Sequence, residues 1–133
     1  KANQARLVPL YAPGGTPEEM LEALADGIRP HLPISVLLLG MGNDMHTASL
    51  FPGADRLAEA LSPSAPILMP MRADAAVEPR VTLTVPALRS AMNTHVLITG
   101  PEKRAALERA QSLPPEEAPI RAFLDLATVH WAD

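Results

Sequence analysis

The sequence predicts an α/β fold in which a mostly parallel sheet is flanked by helices, and three observations carry that expectation. The apolar run from Ile34 to Leu39 is too short for a core helix and is closed by Gly40, the pattern of a buried parallel strand. Thr94 to Thr99 repeats that pattern and is closed by Gly100. Around these runs lie segments of helical periodicity bounded by proline and glycine, and strands that alternate with helices argue for a parallel sheet. No linker or internal repeat divides the 133 residues, so a single α/β domain over 1–133 is expected.

Taken in order, Arg6 to Tyr11 alternates weakly around Pro9, which predicts a short edge strand or extended segment. Gly14-Gly15 makes a turn. Thr16-Pro17-Glu18-Glu19 then starts a helix, with Thr16 as N-cap, Pro17 at the first helical position and Glu19 closing a capping box. Met20, Leu21, Leu24 and Ile28 follow at helical spacing, and Pro30 ends the helix near Arg29. The double glycine is not read as a phosphate cradle, because no strand feeds it and no Lys-Ser/Thr follows. After the first strand, Gly40 to Asp44 forms a glycine-punctuated loop, His46 to Leu50 one or two helical turns, and Pro52-Gly53 a stop. Leu57, Ala58 and Leu61 mark a short amphipathic helix. Ile67 to Met71 is a candidate strand interrupted by Pro70, Ala73 to Pro79 a loop, and Val81 to Val85 a period-two strand. Pro86 opens a helix to about Met92. Beyond the 94–99 strand, Pro101 sits at a first helical position, and Ala106, Leu107 and Ala110 carry a helix toward Pro114-Pro115. A short helix from Pro119 to Leu126 and a terminal strand from Ala127 to Trp131 complete the order.

Apolar residues make up 47% of the chain and aromatics only 3%, so the core is expected to be aliphatic. With no cysteine there is no disulfide framework, thiolate metal site or thiol nucleophile. That composition suits a reducing, cytoplasmic location. A net charge of −4 gives no general attraction for nucleic acid or anionic membrane, and no apolar run reaches the length of a membrane span. No secretory signal pattern opens the chain, and its first residue, Lys1 rather than Met, suggests a processed or truncated start. Nothing in the residues sets an oligomeric state.

Ligands of open α/β sheets bind at the carboxyl ends of strands, which puts Asp44 and His46 where chemistry usually occurs. His46 reads either as a catalytic imidazole or as an ordinary surface histidine. Asp44 reads either as a cap on the short helix that follows or as a carboxylate that orients His46. Lys103, in the first turn of a helix, lies where backbone N–H groups and the helix dipole favour anions. Arg80 is a second candidate cation, and either residue also reads as a solvated charge. His31, His95 and His130 are scattered without metal-ligand spacing, so no metal site is expected.

The string Gly40-x-Gly42-x-Asp44-x-His46-Thr47-Ala48-Ser49-Leu50-Phe51-Pro52 resembles the signature of the 6-phosphogluconolactonases. That family stands with the glucosamine-6-phosphate deaminases and shares their Rossmann-like parallel sheet. Pro79 to Pro86 and the spacing Gly100-x-x-Lys103 are similar to the same family. The resemblance implies a carboxylic ester hydrolase that opens 6-phosphogluconolactone to 6-phosphogluconate in the pentose phosphate pathway, without metal or cofactor. It makes the partner a small phosphorylated sugar lactone. It also implies His46 as general base and Asp44 as the group that holds its tautomer. Lys103, with Arg80, would hold the phosphate, and the backbone near Gly42 would stabilise an oxyanion. Gly42, Asn43 and Thr47 would line the substrate.

The resemblance covers the C-terminal part of the family only. Complete members begin with strands leading to a Ser-Gly-Gly-Ser-type phosphate loop and an Asp-Glu-Arg segment, and these first strands and motifs are missing from this chain. Two further readings stay open. Deaminases carry a glutamate five residues after the histidine, where this chain has Phe51. A non-catalytic sugar-phosphate-binding module would need the cations but not His46. Met45 stands where the family usually has glycine. An unbranched methionine is expected there with negative φ, its side chain packed over the site beside Phe51.

Overall fold

The computed structural model describes residues 3–133. Its elements run α1 (Pro17–Ile28), β1 (Leu37–Leu39), α2 (Leu57–Leu61), β2 (Leu68–Ala73), β3 (Ala76–Leu83), α3 (Val85–Arg89), β4 (Thr94–Thr99), α4 (Pro101–Ala110) and β5 (Ala127–Ala132). Two 3₁₀ turns, Arg29–His31 and Pro119–Ala122, punctuate them.

The sheet is parallel, in the order β1-β4-β5, with Leu37 opposite Thr94 and Thr94 opposite Ala127. The expected α/β architecture is therefore present. Successive side chains point to opposite faces of a strand, so Leu37, Leu39, Val96 and Ile98 enter the core together. The other face corrects the expectation of a strand buried on both sides. Among the described residues, Val36, Leu38 and Leu97 are 62%, 63% and 48% exposed.

α1 begins as its sequence dictates. Thr16 Oγ1 accepts the Glu19 amide at 3.3 Å, and Glu19 Oε2 accepts the Thr16 amide at 3.0 Å. Such a cap contributes roughly 1 kcal/mol. α1 ends at Ile28 with Arg29 as its C-cap, as expected from Pro30, and the 3₁₀ turn Arg29–His31 follows directly. α4 follows Gly100, whose φ of +84° turns the chain out of β4, and buries Ala106, Leu107 and Ala110.

Beyond shifts of a few residues, such as Val85 beginning α3 rather than ending a strand, four segments differ from expectation. Arg6 to Tyr11 forms no strand, having no pairing partner among the described residues. Ala73 to Pro79 is mostly not a loop: β2 turns at Asp74-Ala75 straight into β3, pairing Ala73 with Ala76 and Pro70 with Val81. A two-stranded sheet tolerates Pro70 and Pro79 because each strand has a free edge toward which a missing N–H can point. His46 to Leu50 is a tight turn, closed by a bridge between Thr47 and Leu50, rather than a helix. Pro119 to Leu126 is helical only over the 3₁₀ turn at its start.

The core lies between the buried sheet face, the hairpin and the helices. It includes Met41, Leu50, Phe51, Met69, Met71, Leu88, Ile120 and Phe123. Burial of each such side chain contributes about 1.5–3 kcal/mol. Leu50, Met71, Ile120 and Phe123 have no accessible surface.

Candidate active site

The loop after β1 folds around its own backbone. Met45 N–H donates to Gly42 O at 2.9 Å, and Gly42 N–H donates to His46 O at 3.0 Å. Thr47 is buried, and its hydroxyl donates to Gly40 O at 2.8 Å, closing the loop from beneath. A buried hydroxyl must find such a partner, and Thr47 finds it within the loop.

Asp44 and His46 form the centre. Asp44 Oδ1 lies 2.5 Å from His46 Nδ1 and 3.2 Å from His46 N. One carboxylate oxygen therefore serves both the backbone and the ring of the same residue. The helix that Asp44 would cap does not form, and Asp44 contacts the backbone and ring of His46 instead. An ionised carboxylate only accepts, so this geometry puts the proton on Nδ1 and leaves the Nε2 lone pair free. The side chains of His46 and Asp44 are about a third and two-fifths exposed. The imidazole stacks on buried Phe51, with ring centroids 4.4 Å apart and planes at 29°.

Gly42 is required by contact. A Cβ there would stand 2.3 Å from His46 Nδ1 and 2.5 Å from Asp44 Oδ1. Its amide is already committed to His46 O, which removes it as an oxyanion donor. The amides of Asn43 and Asp44 have no protein acceptor among the described residues.

Met45 corrects the expectation made for it. Its φ is +67°, and Ala48 follows at +51°. Two non-glycine residues in the left-handed region thus bracket His46, each at a cost of about 1–2 kcal/mol. The partly buried Met45 side chain packs against the core.

The cations divide. Asn43 Nδ2 approaches Glu102 Oε2 at 3.4 Å, which ties the loop to the first turn of α4, where Lys103 is the next residue. Glu102 had no sequence signal, since its contact spans 59 positions. Arg80 lies on β3 opposite Met71. It lines a cleft of about 790 Å³ with Tyr11, Thr16, Ser49 and Arg72. Its lining does not include Asp44 or His46 and meets their loop at Ser49, whose amide donates to Thr82 Oγ1 at 3.3 Å.

His95 and His130, scattered in sequence, meet at 3.0 Å between Nδ1 and Nε2 on neighbouring strands. Among the described residues, no group of three or more His, Asp or Glu side chains converges as a metal set.

Comparison with known proteins gives the constellation its relatives. A family model described as glucosamine-6-phosphate isomerases/6-phosphogluconolactonase matches residues 1–131. The chain belongs to this family. It is 42% identical to the 6-phosphogluconolactonase of Rhizobium meliloti (strain 1021), over 98% of this chain and 60% of that one. It is 40% identical to the 6-phosphogluconolactonase of Pseudomonas aeruginosa, over 98% of this chain and 57% of the relative. A crystal structure of a 6-phosphogluconolactonase from Shewanella baltica superposes with a TM-score of 0.86 at 28% identity, covering 93% of this chain and 55% of that one. The chain thus spans a little over half the length of these family members. Among the described residues, no helix is long and apolar enough to cross a membrane.

Proposed function

We propose that this chain carries the catalytic loop of a 6-phosphogluconolactonase and hydrolyses 6-phosphogluconolactone to 6-phosphogluconate. The observation that carries the reading is the 2.5 Å contact between Asp44 Oδ1 and His46 Nδ1, which leaves Nε2 as an oriented base. His46 Nε2 takes a proton from water as its oxygen bonds to the lactone carbonyl carbon. Charge gathers on the carbonyl oxygen, where the unpaired amides of Asn43 and Asp44 are available donors. The intermediate collapses, the bond from carbon to ring oxygen breaks, and the Nε2 proton passes to that oxygen. The new carboxyl group then releases its proton to solvent.

Lys103, in the first turn of α4, would hold the substrate phosphate with help from the helix N-terminus. Arg80 enters only as a cation on the far side of Ser49. The reading carries a cytoplasmic location with it. Phe51 supports hydrolysis over deamination, since a buried phenyl ring against the imidazole cannot relay a proton. In the intact protein, His46→Ala is expected to slow lactone opening, followed as acid release, by about 10²–10⁴-fold. Near-normal turnover would remove His46 as the base. Binding of 6-phosphogluconate without any wild-type hydrolysis would make the protein a binding module.

A further inference from the structure

The catalytic loop is held from a place that no motif marks. Beyond the local bond from Leu50 N–H to Thr47 O, one backbone hydrogen bond among the described residues leaves residues 42–48: Ile120 N–H donates to Met45 O at 3.1 Å. Ile120 belongs to the 3₁₀ turn Pro119–Ala122, and Ala118, Ile120 and Phe123 have no accessible surface. The donor is therefore rooted in the core.

The peptide linking Met45 to His46 is gripped at both ends. Its oxygen is held by Ile120 N–H, and its nitrogen, His46 N, donates to Asp44 Oδ1. That same Oδ1 takes His46 Nδ1. Turning Met45 out of its left-handed conformation would swing this peptide, breaking the Ile120 bond and the Asp44 contacts together. Left to itself, a methionine at φ +67° would make that turn.

We infer that the buried Ile120 turn is a positioning clamp that keeps Met45 left-handed and thereby sets the Asp44–His46 pair. The inference deepens the proposed lactonase reading and rests on it only where turnover is measured. Ile120 and Met45 are positioning residues; neither side chain takes a proton.

The test compares two Met45 variants by NMR and kinetics in the intact protein. β-Branched valine resists the left-handed region, whereas glycine enters it freely. Met45→Val should accelerate Ile120 amide exchange at least tenfold and abolish the low-field His46 Nδ1 proton signal. It should also lower kcat at least tenfold, with KM changed less than about twofold because Lys103 is untouched. Met45→Gly should retain both the protected Ile120 amide and the Nδ1 signal. If Met45→Val frees the Ile120 amide yet keeps the Nδ1 signal, the clamp does not set the pair. If Met45→Gly loses that signal, the methionine side chain and not Ile120 holds the loop; this arm stands even should the valine variant fail to fold. Absence of lactone hydrolysis in the wild type would sink the proposed function, while both NMR arms would still judge the clamp.

Discussion

The loop after β1 and the β2–β3 hairpin sit side by side and are stabilised in opposite ways. In the loop, placement comes from backbone bonds, the buried hydroxyl of Thr47 and the core-rooted amide of Ile120. The hairpin is fastened to α1 by an exposed ion pair, Arg72 Nη1 to Glu18 Oε1 at 2.7 Å, and to the 54–56 turn by Asp55. Water competes with such a pair, whereas the Thr47 hydroxyl and the Ile120 amide that hold the loop belong to buried residues. The difference fits the proposed function, in which His46 as base has to be aimed closely, whereas a charged cleft such as that around Arg80 tolerates movement.

Substitutions at Gly42, Thr47 and Arg72 test that contrast in descending order of effect. Gly42→Ala drives a methyl group into His46 and Asp44, and something in the loop must shift. Overpacking of this kind costs about 1–3 kcal/mol, and turnover should fall at least as far as a lost base allows, about 10²-fold or more. Calorimetry with the lactone assay measures both. Normal activity in this variant would mean that the 2.5 Å contact is not needed.

Thr47→Val keeps the shape but deletes the donor to Gly40 O, leaving a carbonyl unpaired beneath the site. Thermal unfolding should show a loss of about 1–3 kcal/mol, with a smaller effect on KM than on stability. A large rise in KM with unchanged stability would assign Thr47 to the substrate.

Arg72→Ala should have the smallest effect, and a pH-dependent one. The Arg72 hydrogen bond holds the Glu18 carboxyl below its ordinary value of 4.5. A carboxyl lowered in the folded state stabilises fully above its unfolded value and loses that contribution as pH falls through the folded one. The Tm difference between wild type and Arg72→Ala should thus be constant near neutrality and close as pH drops below about 4.5. A difference that grows in acid would assign the effect to something other than this pair.

What the sequence by itself determined is what short-range chemistry controls. The capping box at Thr16 and Glu19 spans three positions, and β1, β4 and β5 are short runs whose ends are punctuated locally. Asp44 and His46 were identifiable because their contact spans two residues, so the string that names them also brings them together. The resemblance led to the right family for the same reason, being carried by contiguous residues.

What only the tertiary structure decided depends on contacts distant in sequence. Met45 has no intrinsic reason to be left-handed; a bond to Ile120, 75 positions away, goes with that conformation. Arg80 and Lys103 were alike as solvated cations until β3 carried one into the cleft beside Tyr11 and α4 put the other next to Glu102, which meets Asn43. The turn at Asp74-Ala75 could not be seen because Pro79 argues against a strand unless an edge is free, and pairing alone decides which edges are free. Local propensity specifies which elements form; where their side chains meet is set by packing, which no window of sequence contains.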